Sequence, residues 1–312
     1  MNLFMKYVGL QEQIYRNNLK SLILLLAFPC LLFLLLWIAL FLFNFSKKNS
    51  YSFLDEVNSQ FFALLPFVIS CTLIWFIIAW FLHAQIILKS TSSVALDRKT
   101  NYRIYNLTEN ICISRGIKMP KIYVMEDNSL NAFSSGINEY TYAISISQGI
   151  IDKLTDEELE TVIAHELSHI INRDVRLLII SIIFVGIFSF IAQYAYRIFW
   201  FRQKQSRPIS IFIIFLLGII GYFFSLCLKF AISRRREFLA DAGAVELTKN
   251  PMALASALKK IDADSFIEAV ESEDVAQLFI DHPMRKSHIS FFSSMFNTHP
   301  PIKERIALLE SF

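Results

Sequence analysis

The chain has 312 residues, 54% of them hydrophobic and 18% charged, with 30 Phe and a formal net charge of +3. That length allows one or two domains, and so small a net charge gives no reason to invoke nucleic acid. A soluble chain carries about 25% charged residues, so the apolar excess points to contact with lipid.

Residues 1–20 place Lys6, Arg16 and Lys20 among Leu3, Phe4, Tyr7, Leu10, Ile14 and Tyr15. They read as a helix lying on a membrane surface, or simply as a polar flank. No charged residue then lies between Lys20 and Lys47, and none between Glu56 and Lys89 apart from the titratable His83. The runs from Arg176 to Arg197 and from Arg207 to Lys229 are equally free of charge. About 20 apolar residues in a helix cross the hydrocarbon of a bilayer. Spans are therefore expected near 21–43, 61–82, 177–196 and 209–230. A buried or re-entrant hairpin is the alternative for the last two. The first run is too long for the apolar part of a signal peptide and no small-residue cleavage site follows it, so it reads as a retained anchor.

Lys89, Arg98, Lys99, Arg173, Arg176 and Arg234–Arg236 flank the spans on one side, which puts the polar segments in the cytoplasm. The 197–208 loop, with Arg197, Arg202, Lys204 and Arg207, runs against that orientation. Cys30, Cys71 and Cys227 sit in apolar runs and Cys112 stands alone, so no disulfide framework or cysteine metal spacing is present.

In the polar segments, residues 121–125 read as a short strand. Residues 141–147 alternate small polar and apolar side chains, as a half-buried strand does, and Gly149 ends it. Thr155-Asp156-Glu157-Glu158 is a capping box that opens a helix to about Asn172. A helix is expected over 231–248, stopped by Asn250-Pro251, and a short one over 252–261 with Pro251 at its first position. The Ser-rich stretch 262–297 reads as a loop or lid, and Pro301 opens a last helix to about Glu310.

The chemistry concentrates in His165-Glu166-Leu167-Ser168-His169. Helix positions four apart share a face, so both imidazoles can hold one Zn2+, and Glu166 stands beside them to take a proton from water. The alternative is a helix that happens to carry two surface His beside a Glu. A zinc hydrolase has three protein ligands and one open position. The best source of the third is Glu237-Phe238-Leu239-Ala240-Asp241. Glu237 can complete a His2Glu set, and Asp241 can hydrogen-bond the far nitrogen of a ligand His. The competing reading is a solvated acidic face beside Arg234–Arg236.

With these motifs the chain resembles the HtpX-type membrane zinc metallopeptidases, relatives of the CAAX prenyl proteases. The matching pieces are Asn131 to Gly136, the 141–149 strand with its Ser-Gln-Gly end, Ala164 to His169, Arg236 to Ala244 and Thr298-His299-Pro300-Pro301. The resemblance implies a mainly α membrane protein, with about four transmembrane helices and an α+β zincin-like peptidase domain that has a small β-sheet and a substrate-binding edge strand. It implies Glu237 as third ligand with Asp241 behind it, one Zn2+ per chain, and a peptide-binding edge made by Asn131, Ala132, Phe133, Ala143, Ile144 and Ser145. Residues 1–82 would supply a surface segment and two spans, 83–176 and 231–312 the two parts of one catalytic domain, and 177–230 a hairpin between them. The expected function is endopeptidase quality control of damaged membrane proteins in a bacterial inner membrane, with the catalytic domain facing the cytoplasm. The other readings are a processing protease for a prenylated or lipid-anchored substrate, or a silent scaffold that keeps the zinc fold. Expected partners are membrane-protein or peptide substrates and the lipid bilayer, and no feature sets an oligomeric state. Of the remaining histidines, His83 reads as interfacial and His282 and His288 as solvated. His299 either supports an oxyanion or only starts the last helix.

Overall fold

A computed structural model describes residues 10–45, 53–99, 101–201, 216, 218–221, 235–263 and 300–312. It divides into two compact units. One comprises Met1–Asn18, His83–Ile179 and Ile232–Phe312; the other comprises Leu19–Leu82 and Ile180–Ala231.

The described residues of the second unit are helical. Helix α1 (Leu10–Phe45) begins in the first unit and continues here, α2 (Phe53–Ser90) follows, and α6 (Asp174–Phe201) enters from the first unit in the same way. Among the described residues two helices are long and apolar enough to cross a membrane, over Ile14–Phe45 and Phe53–Gln85. The third expected span falls within α6, and most of 209–230 lies outside the described residues. The expected surface helix and first span form one uninterrupted helix from Leu10, because no residue between them breaks the backbone pattern; residues 1–9 lie outside the described residues. Between α1 and α2 the Asn44 amide donates to Gln60 Oε1 at 2.9 Å and the Trp37 indole to Asn58 Oδ1 at 3.1 Å. Deeper in the unit, Phe28 meets Phe188 edge to face at 5.3 Å between ring centres.

The first unit holds a four-stranded sheet of β1 (Ser93–Ala95), β2 (Lys121–Met125), β3 (Ala132–Ser135) and β4 (Ala143–Ser147), in the order β1-β2-β4-β3. Strand β4 runs parallel to β2 and antiparallel to β3. It is therefore an interior strand, not the free edge expected of Ala143, Ile144 and Ser145. The alternation suggested a half-buried strand, yet all five residues are buried. Ser147 is buried with its hydroxyl satisfied: its Oγ donates to the Ser129 carbonyl at 2.6 Å and accepts from the Asn131 backbone amide at 3.0 Å. On this side of the sheet the outer strand is β3. Gly136 turns the chain from β3 towards β4 with φ +108, and a Cβ there would stand 2.4 Å from the Thr141 carbonyl oxygen.

Among the described residues, helices α3 (Tyr102–Arg115), α4 (Gln148–Lys153), α5 (Asp156–Ile171), α7 (Arg235–Thr248), α8 (Pro251–Ala263) and α9 (Ile302–Leu309) also belong to this unit. Leu159, Val162, Ile163, Ala164 and Leu167 of α5 are fully buried, which makes α5 the central helix. It packs on α7, α8 and β3, and α9 packs on α8. The expected capping box is formed: Thr155 Oγ1 accepts the Glu158 amide and Glu158 Oε2 accepts the Thr155 amide. Glu158 also accepts hydrogen bonds from Ser256 and Lys260, both at 2.7 Å, so the cap ties α5 to α8.

Candidate metal centre

His165 and His169 lie one turn apart on α5, their ring centres 4.8 Å from each other. Helix α7 brings Glu237 against them. The three side chains offer ligand atoms that all lie within 4.8 Å of one another, and all three residues are buried. Glu237 Oε2 is 3.6 Å from His165 Nε2 and 3.7 Å from His169 Nε2. The close approach of the helices depends on Gly243, where a Cβ would meet Ser168 Oγ at 2.6 Å and Ser168 Cβ at 3.0 Å.

Each imidazole turns its other nitrogen to a buried acid. His165 Nδ1 lies 3.0 Å from Asp241 Oδ1, and His169 Nδ1 lies 3.2 Å from Asp174 Oδ2. An Nδ1 facing a carboxylate keeps its proton there and leaves Nε2 as the lone-pair donor, which is the arrangement a ligand His adopts. Two imidazole nitrogens and one carboxylate thus converge, a donor set that fits zinc. Burial alone would lower the His169 pKa, but the Glu237 and Asp174 carboxylates outweigh it and push it up to about 10. Without a metal that extra proton sits on Nε2, and a cation held by the same carboxylates would take its place there.

Glu166 is 1% exposed, and its Oε2 has no hydrogen-bond partner among the described residues. A buried carboxylate oxygen without a donor is costly, and is found where the group has a task. Ser134, on the outer strand β3, lines one small cavity together with His169, Asp174, Arg236 and Glu237. Asn131, Ala132 and Phe133 begin the same segment and are fully buried. Ala143, Ile144 and Ser145 lie one strand further in. His299 lies outside the described residues.

Two participants went unread in the sequence. Arg305 of α9, 1% exposed, reaches in from beyond the 264–299 stretch. Its Nη2 donates to Asp241 Oδ1 at 2.7 Å and its Nε to Asp241 Oδ2 at 2.8 Å, while Nη1 lies 3.7 Å from Glu237 Oε2. Burial would raise the Asp241 pKa, but the Arg305 guanidinium and then His165 hold it down at about 2. The signal was a charge on an apolar stripe: Ile302, Arg305 and Leu309 share the buried face of α9. The other is Asp174, whose place opposite His169 depends on a backbone turn that spacing alone does not reveal.

The sequence pattern of peptidase family M48 matches residues 98–312. A protease HtpX homolog of Bacteroides fragilis (strain YCH46) is 55% identical, the alignment covering 99% of this chain and 100% of that protein. A protease HtpX homolog of Lactobacillus acidophilus is 32% identical over 96% of this chain and 99% of its own length. Among solved structures, that of S. mikatae Ste24p aligns with 88% of this chain at 21% identity and a TM-score of 0.45, and this chain spans 61% of its length.

Proposed function

The chain belongs to peptidase family M48, and from that premise we propose that it is a membrane-embedded zinc endopeptidase whose site is His165, His169, Glu237 and Glu166. The observation that carries this reading is the convergence of three buried ligand atoms within 4.8 Å beside an unpartnered Glu166 oxygen.

His165 and His169, through Nε2, and Glu237, through Oε2, would hold one zinc ion. When bound, zinc supplies Lewis acidity: it acidifies water and polarises the scissile carbonyl. Glu166 Oε2 takes the proton of the attacking water and passes it to the leaving amine. Asp241 and Asp174 keep both imidazoles aimed. A substrate peptide adds antiparallel along β3, the outer strand that shares Ser134 with the cavity, and main-chain hydrogen bonds there select little by sequence.

Such indifference to sequence suits quality control of damaged membrane proteins, in keeping with the HtpX relatives. Residues 83–176 and 231–312 act as one catalytic domain on the cytoplasmic side of a bacterial inner membrane. Four spans, two of them from α1 and α2, supply the anchor. The outward-facing Phe62, Phe67 and Phe81 of α2, each about two-thirds exposed or more, are what a helix in hydrocarbon presents.

Glu166→Gln tests the reading. The variant is expected to keep its zinc by metal analysis and to lose cleavage of a membrane-protein substrate in detergent. Digestion at the wild-type rate would sink the assigned role. Glu237→Ala is expected to lose zinc, and an unchanged zinc content would remove Glu237 from the ligand set.

A further inference from the structure

Helix α5 ends at Ile171 and α6 starts at Asp174, so a junction of two residues decides where Asp174 points. Arg173 makes this turn with φ +60. For a residue with a Cβ the left-handed conformation costs about 1–2 kcal/mol, and it persists only where the surroundings enforce it.

Helix α1 supplies that enforcement. The single amide nitrogen of Asn17 donates to the Asn172 carbonyl at 2.8 Å and to Asp174 Oδ1 at 2.7 Å. Its two hydrogens thus join the carbonyl that ends one helix to the carboxylate that begins the next. Asn18 Oδ1 accepts from Arg173 Nη1 at 3.0 Å, so all three residues of the turn are gripped from one side. Asn17 is 7% exposed, whereas Tyr15 is 63% and Leu19 43%. A helix that buries its amide between exposed apolar neighbours is using that amide. The second oxygen of Asp174 lies against His169 Nδ1 at 3.2 Å.

We infer that Asn17 and Asn18 form a clasp on the α5–α6 turn, and that Asn17 is a positioning residue for the metal ligand His169, acting through Asp174. The first turns of α1 thereby belong to the working parts of the peptidase as well as to its anchor. The inference rests on the zinc reading above. Arg305 serves Asp241, and hence His165, in the same manner from the other side of the sequence.

The test uses the full chain in detergent micelles and a fluorescent chelator competing for zinc. Asn17→Leu removes both hydrogen bonds at similar volume and is expected to hold zinc more weakly, by less than the about 10–100-fold that follows loss of Asp174, the direct partner of the ligand His. At saturating zinc its kcat is expected to recover, which a general loss of fold would not allow. In an Asp174→Asn background the same change is expected to add little, because both act at one point. Wild-type zinc affinity in Asn17→Leu, or full additivity with Asp174→Asn, overturns the inference. If Asn17→Leu does not accumulate, Asn17→Ala carries the same comparison. A wild-type chain that takes up no zinc would instead overturn the function proposed above, so the two failures are told apart.

Discussion

Arg305 meets Asp241 side-on, two parallel hydrogen bonds of 2.7 and 2.8 Å joining a guanidinium and a carboxylate that are both shut off from water. The forked geometry matters, because a lysine ammonium cannot reproduce two parallel bonds. Removing one partner of a buried pair leaves the other charge unmatched, at a cost of about 3–5 kcal/mol. Arg305→Lys is therefore expected to weaken zinc retention, and Arg305→Met to lower the melting temperature as well. Chelator competition and thermal melting in detergent read both effects. Wild-type zinc retention in Arg305→Lys would show that the fork is dispensable.

The contact between Gly243 and Ser168 sets how closely α7 approaches α5. Gly243→Ala forces a Cβ to within 2.6 Å of Ser168 Oγ, so either the hydroxyl gives up its 2.8 Å bond to the Ala164 carbonyl or the helices part. Overpacking of this kind costs about 1–3 kcal/mol. A lower melting temperature and looser zinc binding are expected, partly restored by adding Ser168→Ala. If Gly243→Ala melts and binds zinc like the wild type, the close approach is not what places Glu237.

Glu158 makes a pH-dependent contribution. Burial would raise its carboxyl, but hydrogen bonds from Lys260, Ser256 and the Thr155 backbone outweigh this and hold it below the ordinary 4.5. A carboxyl depressed in the folded state contributes fully above its unfolded value, and loses that contribution as the pH falls through the folded one. The melting-temperature gap between wild type and Glu158→Gln is thus expected to be widest near neutrality and to close on acidification below about pH 5. A gap that stays constant with pH would refute the coupling.

Local signals were the legible ones. The Thr155 cap, the pair His165/His169, the strand at 121–125 and the Pro251 helix start each depend on a few neighbouring residues, and each lies where the sequence indicates. Helix α3 carried signals that went unread, an Asn101 cap and a left-handed Gly116 at its end. The order of the strands was beyond local reading. Alternation in 141–147 describes the two faces of a strand and says nothing about its two edges, and both edges of β4 are taken. Asp174 and Arg305 belong to the same class, since a backbone turn and a remote helix bring them in. Glu237 was within reach because its acidic partner four residues on made a recognisable pair.

The fork on Asp241 also sets an order of events. A chain synthesised as far as Asp241 already holds all three ligands and Glu166, but the guanidinium that fixes Asp241 is still to come. Until α9 emerges and docks, Asp241 faces His165 without its cation, and the aim of that imidazole is loose. The setting of His165 is therefore complete only once the C-terminal helix has docked, although that helix contributes no ligand of its own.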